Sequence, residues 1–190
     1  GFNAIDWQMV HSANTQVASG NYSTISGGRQ NTASGTNATV AGGFNNTASG
    51  SSHATVGGGS TNSASGDGSV VSGGGNNAAS NQNSTVGGGA TNTASGIYGT
   101  IGGGISNRSS GYSSTVGGGA NNLSDYSYTT IPGGYGMRLG NSAEGSFGFN
   151  GFTTYDDSAY VNTARTAYFG NVDLWLGNTR GIASQLKFFT

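Results

Sequence analysis

One aliphatic residue, set just before a glycine cluster, returns every 15 or 16 residues along most of the chain. It falls at Ile25, Val40, Val56, Val71, Val86, Ile101, Val116 and Ile131, in steps of 15, 16, 15, 15, 15, 15 and 15. Eight residues after each of the first seven marks stands a small residue: Ala33, Ala48, Ala64, Ala79, Ala94, Ser109 and Ser124. Val10 with Ala18 reads as an earlier turn of the same pattern, and Phe147 as a later one. The consensus is Ser-Thr-Val-Gly-Gly-Gly-x-x-Asn-x-Ala-Ser-Gly-x-x.

The period decides the architecture. Helical-pair repeats need about 33 residues or more, and glycine at this density would cost a helix roughly 1 kcal/mol per residue. Ser-Thr-Val suits a short strand, because β-branched side chains fit a pleated surface. Asn-x-Ala-Ser-Gly reads as a second, weaker strand running into a turn, with glycines at the corners where φ is positive. Two short strands and two tight turns describe one coil of an all-β, parallel β-solenoid or β-roll with ~15-residue coils. Successive coils stack about 4.8 Å apart through backbone hydrogen bonds, so nine or so coils make a rod on the order of 40 Å long.

Composition alone would point to a flexible linker, since 38 of the 190 residues are glycine. The strict period overrides that reading. Only 7% of residues are charged and the net charge is −1. With no basic patch, nucleic acid is not an expected partner. No apolar run is long enough for a membrane helix, so no membrane insertion is expected. Cysteine is absent, which removes thiolate chemistry and any disulfide framework. The chain opens at Gly1 without a signal-like segment, as a fragment or processed piece would.

Each coil offers one Val or Ile and one Ala to an interior. That apolar area is small against the entropy of ordering 15 residues. A repeat that cannot bury its face alone must find neighbours. Coils above and below supply two, and other chains side by side would supply more. Gly, Ser and Ala let backbones approach closely, so a homotrimer is expected.

Two segments carry family resemblances. Ser-Thr-Val-Gly at 84–87 and 114–117, with Asn-x-Ala-Ser-Gly at 92–96, resembles the head repeats of YadA-like trimeric autotransporter adhesins. The likeness covers roughly residues 10–150. It implies a left-handed parallel β-roll, three chains about one axis, and surface attachment. The period here is 15 where that family's is about 14, and Gly-Gly-Gly replaces its Ala-Ile-Gly neighbourhood. The phrase "GNTRGIASQLKFF", 177–189, resembles the segment preceding the endosialidase-type intramolecular chaperone of phage tail fibres. It implies a tail-fibre or appendage-fibre tip.

The chain divides into three parts. Residues 1–9 are a lead-in or cap in which Phe2, Ile5 and Trp7 alternate as on a strand burying one face. Residues 10–152 are the β-roll repeat, loosening after Pro132, which suits a boundary. Residues 153–190 gather aromatics and charges and include an alternating Val172, Leu174, Leu176 strand; they read as an aromatic-rich β segment closing the rod.

Catalysis has little to work with, and no enzyme activity, cofactor or metal is expected. His53 has no acid or cysteine near it in sequence, and reads as a repeat-variable surface residue. Asp156 and Asp157 are adjacent, so on a strand they point to opposite faces; that counts against a shared general acid/base site. The glycine runs lack the Gly-Lys-Ser/Thr of a phosphate cradle. A Thr row at 24, 39, 55, 85, 100, 115 and 130 raises ice binding as an alternative, though the usual Thr-x-Thr is missing. A ladder of β-branched residues is the simpler account. Ligand binding would use variable positions at coil corners: Arg29, Phe44, His53, Tyr98, Arg108, Tyr112, Tyr126 and Tyr128, with Asp67 and Ile97 beside them. Tyr among Asn and Ser suits glycans, where a flat ring stacks and hydroxyls bond. Tyr126 and Tyr128 are expected to share one strand face. The expected function is therefore a trimeric, extracellular fibre or adhesin segment on a phage virion or bacterial appendage, attaching to a cell-surface glycan or other receptor. A passive rigid spacer is the alternative.

Overall fold

The computed structural model describes residues 1–11, 16–150 and 159–170. Each coil opens with a strand of two residues that ends on the aliphatic mark. Thr24–Ile25, Thr39–Val40, Thr55–Val56, Val70–Val71, Thr85–Val86, Thr100–Ile101, Thr115–Val116 and Thr130–Ile131 stack parallel and, up to Ile131, in unbroken register, mark over mark and, except at Val70, Thr over Thr. Ile5–Asp6 precedes them, and Phe147–Asn150 and Ala167–Gly170 follow, giving the first sheet eleven strands among the described residues. The second sheet has nine strands among the described residues, from Thr32–Ala33 to Ala159–Val161. A third hydrogen-bonded column of single bridges runs from Val10 through Arg29, Phe44, Ser60, Gly75, Ala90, Ile105 and Ala120 to Tyr135. The chain is an all-β parallel solenoid, and both sheets continue beyond residue 152. No helix among the described residues is long and apolar enough to cross a membrane. The 177–189 phrase, the Val172–Leu176 alternation and Asp156–Asp157 lie outside the described residues.

Period-two alternation fixes what faces inward. The marks from Ile25 to Ile131 and the alanines from Ala33 to Ala94 are fully buried within the single chain. The apolar content is as thin as the repeat suggests, but a polar ladder completes the interior. Asn31, Asn46, Asn62, Asn77, Asn92, Asn107 and Asn122 are all at most 1% exposed. The side-chain carbonyl of each accepts the backbone N–H of the equivalent residue one coil on, at 2.9–3.0 Å. Each side-chain amide donates to two glycine carbonyls, one four residues back and one in the next coil, at 2.8–3.1 Å. Every Asn therefore ties its own coil to the next, in a dry setting where paired polar groups are strong and unpaired ones costly.

Three sequence expectations need correction. Val10 is not a mark: it pairs with Arg29 in the third column and is half exposed, while Asp6 holds the mark position opposite Ile25. Phe147 pairs with Thr130, so Gly148 falls at the mark. A Cβ at Gly148 would come within 2.5 Å of Met137 Cε and 3.1 Å of Leu139 Cδ2, so larger side chains from the second sheet have taken the space. Phe2, Ile5 and Trp7 do not bury a face; they are 65%, 44% and 72% exposed, and Gln8 points inward instead.

Gln8 explains why the first coil is polar. Its side-chain carbonyl accepts the Asn31 N–H at 2.7 Å, supplying the rung that no earlier Asn provides. Its amide donates to the Asn31 and Gln16 carbonyls and to Asp6. The Asp6 carboxylate also accepts the Gln8 and Ala18 N–H groups and lies 3.3 Å from His11. Partial burial pushes the Asp6 carboxyl up, but the hydrogen bonds from Ala18, Gln8 and His11 outweigh it and leave the group below 3.8. A depressed folded value means stabilisation that is complete above the unfolded value and lost as pH falls through the folded one. Acidification below 3.8 is thus expected to fray the first coil before the rest. Hydrogen exchange at the Trp7 and Met9 amides, which donate to Ile25 and Gly28, reads this directly; Asp6→Asn is expected to remove the pH dependence.

Candidate functional site

Between the second sheet and the next mark, the chain turns through a corner whose residues stack from coil to coil. The N–H of Tyr98 donates to the Gln82 carbonyl, Ser113 to Ile97, Tyr128 to Tyr112, Gly145 to Ser127 and Arg165 to Glu144, at 2.8–3.1 Å. Reaching back this way requires a left-handed residue. Tyr22, Asn37, His53, Asn83, Tyr98, Ser113, Tyr128 and Arg165 occupy the position with φ between +50° and +58°. Asn tolerates that region, whereas a bulky L-residue there carries about 1–2 kcal/mol of strain. Among the described residues, glycine fills this corner only at Gly68 and Gly145, at φ +63° and +67°, while the other side of the coil carries glycines such as Gly43 and Gly104 beside left-handed residues such as Asn45 and Thr61.

Tyr98, Tyr112 and Tyr128 form a continuous row on this corner. Tyr98 and Tyr112 meet edge to face at 5.7 Å and 84°, and Tyr112 and Tyr128 at 5.6 Å and 72°. Such pairs contribute about 0.5–1.5 kcal/mol beyond area burial, which offsets the backbone strain. All three remain 44–57% exposed. Tyr126 and Tyr128 lie in the turn rather than on a shared strand face, because the corner needs Tyr128 left-handed. Beyond Tyr128 the row opens into a cleft of about 280 Å³ lined by Tyr128, Glu144, Gly145, Ala164 and Arg165.

The remaining candidates are dispersed. His53 sits on the tyrosine corner, three coils before Tyr98. Next to it, Asp67 accepts the Ser52 hydroxyl at 2.6 Å and the Ser52 N–H at 3.0 Å. The hydroxyl bond is the main reason the Asp67 carboxyl is held low. Arg29 and Phe44 belong to the third column, where the guanidinium carbon stands 4.6 Å from the Phe44 ring centre. Arg108 points outward from the second sheet, its Nε 3.7 Å from Asp125, which also accepts the Ser110 hydroxyl. Asp67, Arg29, Phe44 and Arg108 each have a local partner that accounts for the side chain. The Thr row is half-buried on the outer face of the first sheet, one Thr per coil except where Val70 interrupts it.

Sequence reasoning missed Glu144 and Arg165. Glu144 is the sole glutamate of a charge-poor chain, a signal visible in the sequence. Arg165 was hidden because the corner spacing widens to 20 residues after Gly145, past the reach of the 15-residue count. No protein-family model matches this chain, and no curated protein matches its sequence.

Proposed function

We propose that the chain is a segment of a homotrimeric extracellular fibre, borne by a phage virion or a bacterial surface appendage, that attaches to a cell surface through glycans. The tyrosine corner carries this reading. A stack of uniform coils departs from its own consensus at one edge, accepts left-handed tyrosines there, and leaves their rings in solvent. The left-handed corner belongs to every coil, so it is the gathering of three exposed, stacked rings on it that points to use rather than to folding. The near absence of paired acids in the rod supports adhesion over catalysis.

The glycines support the trimer. At Gly73, Gly103, Gly118 and Gly133 a methyl group would meet nothing within 4 Å in the same chain, and the backbone is not left-handed. Space within one chain gives no reason for glycine at these four positions, whereas Gly27, Gly58 and Gly88 of the same column take φ of +145° to +157°, which favours glycine. A sister chain laid against that column would need the flat surface.

Light scattering of the purified chain is expected to give three times 18.8 kDa. Fluorescently labelled protein is expected to decorate host cells, and unlabelled protein to block attachment of the parent particle. Trimers that neither decorate nor block would leave the spacer role and remove the adhesive one.

A further inference from the structure

The aromatic row and the cleft at its end share Tyr128. We infer that together they form one groove for an extended, neutral glycan, with one pyranose seated in the cleft between Glu144 and Arg165. The inference rests on the attachment reading above and adds the place, the ligand class and the polar contacts.

Three observations carry it. The row advances one coil per ring, about 4.8 Å, a rise comparable to one pyranose in an extended chain. From Tyr98 to Arg165 the corner spans five successive coils, or about 20 Å, room for four sugars. Edge-to-face packing at 84° and 72° turns each ring against the next, and all three stay partly in solvent, so successive sugars would meet a ring face and a ring edge in alternation. The cleft then supplies the two polar partners that a vicinal diol needs. The Glu144 carboxylate is acceptor-only and takes the two hydroxyl protons, while the Arg165 guanidinium is donor-only and gives to the hydroxyl oxygens. One negative and one positive group cancel, so the cleft holds no net charge to select an anionic or cationic ligand. That charge balance favours a neutral sugar over a sulfated or sialylated one.

The test is titration of the full chain with neutral tetrasaccharides of glucose, galactose, mannose and N-acetylglucosamine, with a sulfated tetrasaccharide as the charged control. Calorimetry and tyrosine-ring NMR shifts report binding. At least one neutral tetrasaccharide is expected to bind, to shift the rings of Tyr98, Tyr112 and Tyr128, and to bind more tightly than the sulfated one. Tyr112→Ala, at a corner residue of ordinary φ, is expected to weaken it about tenfold, and Glu144→Gln by a similar factor. Tyr128→Asn keeps a residue that tolerates the left-handed corner, so it is expected to fold and to lose binding as well. Binding by no neutral tetrasaccharide, equal binding by all three variants, or preference for the sulfated sugar overturns the groove. Cell decoration that survives all three substitutions would also overturn it while leaving the attachment reading in place. Tetrasaccharide binding lost in the variants, without cell decoration by the wild type, would support the groove and sink the attachment reading.

Discussion

Asn92→Ala is expected to destabilise the rod by about 3 kcal/mol or more, although it removes no apolar contact and no charge. Asn92 is fully buried at the middle of the ladder. Its side-chain carbonyl is the acceptor for the Asn107 N–H at 2.9 Å, and its amide donates to the Gly88 and Gly104 carbonyls at 2.9 and 2.8 Å. Gly104 would keep the Ala90 N–H, but Asn107 N–H and the Gly88 carbonyl would lose these partners inside the rod. Each buried group left unpaired costs about 1–3 kcal/mol, and the space vacated by the amide adds to it. Gln82→Ala, at an exposed corner, is the control and should change little. Urea denaturation followed by circular dichroism measures both. Asn92→Asp should be worse at neutral pH, since a carboxylate would face two carbonyls where an amide had donated. Burial and those carbonyls would raise its folded pKa, so stability should recover as pH falls below the raised value. Equal stability of Asn92→Ala and Gln82→Ala would show that the interior is held by Val and Ala alone.

The ladder also marks where sequence reasoning stopped. The mark residues and the alanines eight positions on were legible, because an aliphatic residue at a fixed period among Gly, Ser and Asn has one plausible destination. Asn92 and its equivalents were just as periodic, yet a polar residue in a strand pattern is placed outward unless a partner is known for it. Its partners are glycine carbonyls and N–H groups one coil away, which exist only once the chain has closed on itself. The meagre apolar content reads as a deficit, but the ladder within the chain meets part of what neighbouring chains were expected to supply. Tyr98 and Tyr112 were legible as variable residues, and their stacking was not. It depends on one residue being left-handed at position 98 while its neighbour in the row sits one place earlier in the next coil. Val10 and Phe147 misled for a related reason. Each is the right type at nearly the right count, but Gln8 takes the inward place beside Val10, and Met137 with Leu139 fill the space beside Gly148.

Two adjacent glycines are expected to respond in opposite ways to the same added methyl group. Gly104 has φ +91°, and a Cβ there would stand 2.1 Å from the Gly119 carbonyl oxygen and 2.7 Å from the Asn107 amide nitrogen. The first is backbone and the second a rung of the ladder, so neither can move aside without breaking the stack. Gly104→Ala should therefore cost about 3 kcal/mol or more and give a chain that is largely insoluble or locally unfolded. Gly103 is not left-handed, and a Cβ there would meet nothing within 4 Å. Within one chain Gly103→Ala should be harmless, with unchanged circular dichroism and a melting temperature altered only through any loss of assembly. Its effect should appear between chains: in the proposed trimer the methyl group would project from the column against which a sister chain lies. Light scattering of Gly103→Ala, or of a combined Gly73, Gly103 and Gly133 to Ala variant, should then fall from three chain masses towards one. A combined variant that remains trimeric would place the contact on another face. A wild-type chain that is already solitary and folds cooperatively would leave these glycines unexplained and remove the trimer, because the ladder and the fully buried marks would then suffice for one chain to stand alone.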